Sequence, residues 1–264
     1  MIFLKRHIAF TILFTMVMGL VMAAGPGELS KLELFVRDDF EKVSSEELLA
    51  FELRYDEMLQ KLQVKKEAFR SDEGFLAYMY YKVHRKFLKQ YEQQVLFSEI
   101  LKPEGKYDCV TASALYALFL DDLGYAYDVV ETDYHVYLLV KAGDREFLME
   151  TTDPLNGFSA DEKEINERVA IVREDAKRIN EELAMAGVAS DFSTTVSTGR
   201  VTVIENRVGL KELAGLHYYN QSLKAFNAEN YRKAYKYIIV AQGIYPSKRI
   251  KNASSFIFAA AFSN

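Results

Sequence analysis

The stretch Tyr107-Asp108-Cys109-Val110-Thr111-Ala112-Ser113-Ala114-Leu115 holds the only cysteine in 264 residues, at the point where an apolar run begins. Pro103 and Gly105 break the chain just upstream, and Gly124 stops the run. Residues 110–123 therefore read as a buried helix with Cys109 at its N-terminus. A thiol there lies at the positive end of the helix dipole, which favours thiolate. Downstream the period changes. Residues 126–132 and 136–141 are rich in Val, Tyr and Leu, as strands are. Ala142-Gly143-Asp144 reads as a turn, with 146–152 as the returning strand of a hairpin. Tyr134-His135-Val136-Tyr137 then sets an imidazole at a strand start, and Glu150-Thr151-Thr152-Asp153-Pro154 sets two carboxylates at the hairpin's far end. Cys, His, acid is the set a thiol nucleophile needs: a base beside it, and a carboxylate to fix the base's tautomer.

Composition bounds the function classes. Half of the residues are hydrophobic and 27% are charged, a globular balance rather than a disordered one. A net charge of −5 gives no basic footprint for nucleic acid. One cysteine and four scattered histidines (His7, His84, His135, His217) contain no ligand pair of zinc type, and no phosphate or dinucleotide loop is present, so no metal or cofactor is expected.

The first 24 residues read as an export signal. Lys5, Arg6 and His7 precede the apolar stretch 8–22, and Val21, Ala23, Ala24 and Gly25 supply small residues for cleavage. The apolar run is short for a membrane span, so membrane attachment would come only from an uncleaved signal. The mature chain is then expected in the periplasm or outside the cell.

Ser44-Ser45-Glu46-Glu47 and Ser71-Asp72-Glu73 look like capped helix starts, each followed by apolar residues at helical spacing. Residues 161–186 read as a charged surface helix, and the Ser/Thr/Gly-rich residues 190–205 as a linker. Beyond it, residues 213–246 read as two antiparallel helices broken at Asn227-Ala228-Glu229-Asn230. Tyr218, Ser222, Ala225, Ala234, Ile238, Ala241 and Pro246 fall where the large and small residues of a tetratricopeptide unit fall. One such unit cannot bury its own face, so it must lean on residues 248–262 or on the core. The expected organisation is a signal (1–24), a core domain (25–189), a linker (190–205) and a helical tetratricopeptide-like segment (206–264).

These blocks resemble the transglutaminase-like superfamily, which is related to papain-type cysteine peptidases. Tyr107 to Leu115 with Leu123-Gly124-Tyr125 is similar to its Cys-helix block, Tyr134 to Tyr137 to its His strand, and Glu150 to Gly157 to its acid block. The likeness covers roughly residues 75–158. It implies an α+β fold, with helices packed on a small antiparallel sheet, and a Cys109–His135–acid triad. The implied activity is thiol-dependent acyl transfer or hydrolysis at a peptide or protein amide. Val136 stands where the family often has an aromatic, and the oxyanion-hole donor upstream is not identifiable. Glu150 and Asp153 fit two variants of the acid block, and with the turn centred on Gly143 both fall about equally near His135. Both stay open as the third member.

A second reading belongs to another class: a non-catalytic scaffold on a degenerate version of the fold, with a protein partner docked on the C-terminal helices. A lone cysteine is most often a small buried hydrophobe, and acids beside a turn are usually solvated. Proximity of the sulfur to the imidazole, in an open cleft, separates the two readings.

Overall fold

The computed structural model describes residues 31–37, 39, 43–185 and 204–262. In chain order the elements are α1 (Glu33–Val36), α2 (Ser45–Ala68), α3 (Asp72–Phe87), β1 (Gln90–Tyr91), α4 (Ser98–Leu101), β2 (Lys106–Tyr107), α5 (Cys109–Asp122), β3 (Ala126–Thr132), β4 (Val136–Ala142), β5 (Arg145–Met149), β6 (Phe158–Ser159), α6 (Glu162–Met185), β7 (Glu205–Val208), α7 (Leu210–Asn227), α8 (Tyr231–Ile244) and α9 (Lys248–Phe262). Residues 1–24, read as a signal, and 190–203 of the expected linker lie outside the described residues. No helix among the described residues is long and apolar enough to cross a membrane.

Local chemistry sets the helix starts. Ser44 and Glu47 form a reciprocal capping box at the head of α2, and the Ser71 hydroxyl caps α3 by accepting the Gly74 amide. Asp108 does the same for α5: its carboxylate accepts the Thr111 amide at 2.8 Å, while the Thr111 hydroxyl accepts the Asp108 amide at 2.9 Å. That box makes Cys109 the first helical residue.

Every residue of α5 from Val110 to Leu120 is buried. A helix with no polar side must be enclosed on all sides. α2 and α3 cover one flank, where Tyr55 stacks on Phe119 at 4.2 Å and Phe87 meets Phe119 at 5.9 Å. The sheet covers a second flank with Val129, Val136, Leu138, Val140, Phe147 and Met149. The tail covers a third, because Leu210, Leu213, Ala214 and Leu216 of α7 join the same cluster.

The sheet has the order β6-β5-β4-β3-β7, with every neighbouring pair antiparallel. Its strands alternate as the pleat requires. The residues between the inward ones, Val130, Tyr137, Leu139 and Leu148, face outward and are covered by Ile165, Val169 and Val172 of α6. The rest of α6 is largely exposed, as its charge run suggested. A mixed α+β architecture with a small antiparallel sheet is thus what the chain adopts.

Two boundaries differ from the sequence reading. The expected linker ends at residue 205, yet Glu205–Val208 pairs with β3 as an edge strand. Three of its four residues are exposed, so it carries no apolar alternation to betray it. With α7 in the main core, the segment from 206 onward does not stand apart. α7, α8 and α9 also share a second cluster centred on Tyr218, Tyr237, Ile238 and Ile250, so the helical pair leans on both the core and the last helix.

The second difference is that β5 ends at Met149 rather than at Thr152. Residues 150–157 fold into a turn instead: the Glu150 amide bonds Gly157 O at 2.7 Å and the Gly157 amide bonds Asp153 O at 3.1 Å. The Tyr80 hydroxyl closes this turn from α3, 2.5 Å from Glu150 O and 2.6 Å from Asp153 O. A Cβ on Gly157 would lie 1.9 Å from that hydroxyl and 2.2 Å from Glu150 O, so only glycine fits. Gly157→Ala is therefore expected to destabilise the protein by about 1–3 kcal/mol through overpacking. Tyr80→Phe should cost about 0.5–1.5 kcal/mol, the net worth of one hydrogen bond, because both carbonyls keep a backbone amide donor. Urea denaturation of both variants checks this; wild-type midpoints would refute the clasp.

Candidate active site

His135 ends the β3–β4 connection, and Thr132 fixes its backbone. The Thr132 amide donates to His135 O at 2.8 Å, and the His135 amide donates to Thr132 Oγ1 at 3.0 Å. Its ring Nε2 lies 2.6 Å from Glu150 Oε2. Strand parity explains that choice of acid. The register pairs Leu138 with Met149, so its continuation sets His135 opposite Thr152. Glu150, two residues from Thr152, is a diagonal neighbour on the same face, and Asp153 has the opposite parity.

Asp153 is accordingly not brought to the imidazole. Its Oδ1 accepts the amides of Leu155 at 3.0 Å and Asn156 at 2.9 Å, a role in shaping the turn. Of the two candidate acids, the structure brings Glu150 and not Asp153 to His135. The second oxygen of Glu150 is held by the Thr152 amide at 3.1 Å and the Thr152 hydroxyl at 2.6 Å, which leaves the carboxylate one orientation.

Cys109 is partly exposed, lines the same cleft as His135, and its sulfur acts on the His135 ring. Since Nε2 is taken by Glu150, Nδ1 is the nitrogen left for sulfur. As the first residue of α5, Cys109 has an amide with no acceptor inside the helix. Burial by itself would depress the imidazole pKa, but the Cys109 sulfur and then the Glu150 carboxylate outweigh it and raise it to about 10. For Glu150, burial pushes upward, and the His135 and Thr152 contacts more than reverse it, leaving its pKa below the ordinary value. Both shifts tie stability to pH. The imidazolium's contribution is complete below its ordinary pKa of 6.5 and fades as pH climbs toward 10. The carboxylate's contribution is complete above 4.5 and fades as pH falls through its lowered value.

The thiol and the imidazole open into a cleft of about 530 Å³. Tyr91, Gln93 and Tyr134 line it, and so do residues of α7. Asp108, also in this lining, is fully committed to capping and to the Val95 amide at 3.2 Å. Behind the site, Glu150 backs onto an apolar hollow of about 220 Å³ beneath α6, lined by Tyr137, Leu148 and Val169.

Sequence reasoning missed what holds the His135 loop. Glu131 and Arg249 form a buried ion pair joining β3 to α9. Arg249 also donates to Asp133 O at 2.9 Å, and Tyr245 donates to the second Glu131 oxygen at 2.8 Å. Asp133 Oδ2 accepts the Ile204 amide at 2.8 Å. An acid near a strand end and an arginine 118 residues later carry no local signal of this pairing. Gln93 was missed for a similar reason: nothing local marks it as part of the cleft.

Among the described residues no group of three or more His, Cys, Asp or Glu is arranged to hold a metal ion. No family model matches the chain, and neither a curated protein nor a solved structure matches it.

Removing one partner of the buried pair should be costly. Arg249→Met is expected to lower stability by about 3–5 kcal/mol, because Glu131 would be left charged and unpaired. The double variant Glu131→Gln/Arg249→Met should recover much of that loss, as measured by chemical denaturation. Additive losses would show the two residues to be uncoupled.

Proposed function

We propose that the protein is a cysteine-dependent acyl-transfer enzyme acting on peptide or protein amides, with Cys109 as nucleophile, His135 as base and acid, and Glu150 as the orienting carboxylate. One observation carries the reading: a partly exposed sulfur at a helix N-terminus, an imidazole lining the same cleft, and a carboxylate 2.6 Å from the imidazole Nε2. Imidazolium held between sulfur and carboxylate is the charge state in which a thiol attacks at neutral pH. The arrangement is in keeping with the transglutaminase-like likeness of residues 75–158, and we adopt that family as part of the proposal.

The sulfur attacks the amide carbon, and we assign the Cys109 amide as one oxyanion donor and the side chain of Gln93, which lines the same cleft, as the second. The C–N bond breaks and His135 passes its proton to the departing amine, leaving a thioester and a neutral ring. The ring then takes a proton from water as its oxygen attacks the thioester. The acid leaves, and thiolate and imidazolium return. Hydrolysis is the default outcome, because the cleft is open and water reaches the thioester. Taken with the N-terminal segment expected to direct export, this activity would operate outside the cytoplasm.

Alkylation of Cys109 by a mild haloacetamide at pH 6, followed by mass spectrometry, tests the constellation. Wild-type protein should react rapidly. His135→Ala and Glu150→Gln should slow the reaction by at least about tenfold, since losing a charge partner shifts a pKa by one unit or more. Asp153→Asn, which keeps an acceptor for the turn amides, should stay within about twofold, the range of a surface change. Equal rates in the native and the urea-denatured chain would mark an inert thiol and favour the scaffold reading.

A further inference from the structure

The catalytic reading names a bond but not what flanks it, and the cleft's second wall bears on that. α7 belongs to the C-terminal part of the chain, yet Leu216, Tyr219, Leu223 and Phe226 line the same cavity as Cys109 and His135. These four repeat at three- and four-residue spacing, so they form one stripe along the helix. Leu216 and Tyr219 are buried, whereas Leu223 and Phe226 are only partly covered by the protein itself. Asn220 and Asn227 border the stripe and also line the cavity.

The charged groups in this lining are already engaged. Asp108 caps α5, Asp133 accepts the Ile204 amide, and Arg249 is paired with Glu131. The wall therefore presents apolar surface and neutral amides. A charged side chain seated against Leu223 and Phe226 would lose its hydration without gaining a partner. A bulky apolar one would lose only unfavourable exposure to water.

Resting on the acyl-transfer reading above, we infer that α7 is the specificity wall of the site. Its Leu223–Phe226 stripe takes a bulky, uncharged side chain lying within two residues of the reacting amide, and Asn220 and Asn227 bond the main chain of an extended peptide. The substrate class is an unfolded or flexible peptide segment bearing Leu, Phe or a similar residue beside the bond. Acidic and basic neighbours are disfavoured. Placing specificity on the tail makes that tail part of the enzyme rather than an appended module.

The test uses peptidyl vinyl sulfones carrying Leu, Phe, Asp or Lys at either of the two positions before the electrophile, against the full chain and its Leu223→Lys variant. Wild-type Cys109 should react with the Leu or Phe probes at least about tenfold faster than with the Asp probes, the discrimination an apolar pocket provides. Leu223→Lys should reverse this, accelerating the Asp probe while weakening the Leu probe. Faster reaction cannot arise from misfolding. The small haloacetamide makes no use of the wall, so each peptide probe's rate is taken relative to the haloacetamide rate of the same protein. If the small reagent reacts in a His135-dependent way but the peptide series is flat, or is unaffected by Leu223→Lys, the inference fails and the catalytic reading stands. If the small reagent finds an inert thiol, both fall together.

Discussion

The constraint on which the rest depends is the enclosure of α5. Its middle eleven residues are all buried, so the helix cannot be a surface element of anything smaller than the whole assembly. Three separate parts of the chain must close around it: the N-terminal helices, the sheet and α7. Its N-terminus is different. Asp108, itself buried, terminates the helix with a capping box and a bond to Val95, and the next residue is exposed enough to meet solvent. Burial of the helix and accessibility of Cys109 are thus two consequences of one cap.

The hairpin brings the other two groups to that point. His135 precedes β4 and Glu150 follows β5, so the register that pairs Leu138 with Met149 also sets the two side chains diagonally across the same face. Each is then immobilised by its own neighbour, Thr132 for His135 and Thr152 for Glu150. The turn behind Glu150 is clasped by Tyr80, and the loop before His135 is tied to α9 through Arg249 and Glu131. In the proposed mechanism a base and its orienting acid need such support, because a displacement of an ångström costs heavily in rate. Both side chains are largely covered by the protein, so their mutual attraction is felt more strongly than it would be in water.

Much of this was legible in the sequence, and the limits are physical. The central helix, the hairpin and the helical tail follow from hydrophobic period, glycine breaks and caps, which are local signals. Cys109 and His135 stood out because they flank such elements. The choice between Glu150 and Asp153 hung on one residue of register: a turn centred on Gly143 sets His135 opposite Thr151, whose parity favours Asp153, whereas the observed pairing sets it opposite Thr152 and favours Glu150. Strand β7 was hidden because an exposed edge strand such as Glu-Asn-Arg-Val has no apolar face to show. The Glu131–Arg249 pair and the α7 wall join residues more than eighty positions apart, and no pattern in one sequence encodes such contacts.

The central claim is that Cys109, His135 and Glu150 share charge as a sulfur–imidazolium–carboxylate row. Titrating the His135 ring by nuclear magnetic resonance, with selectively labelled histidine and His135→Ala to assign the signals, measures it directly. The account predicts a ring that stays doubly protonated through neutral pH and loses its proton only toward pH 10. In Glu150→Gln the same transition should move down by about one unit or more, the effect of deleting a contacting carboxylate. A His135 ring that titrates near its ordinary value of 6.5 in the wild type, unmoved by Glu150→Gln, would contradict the account.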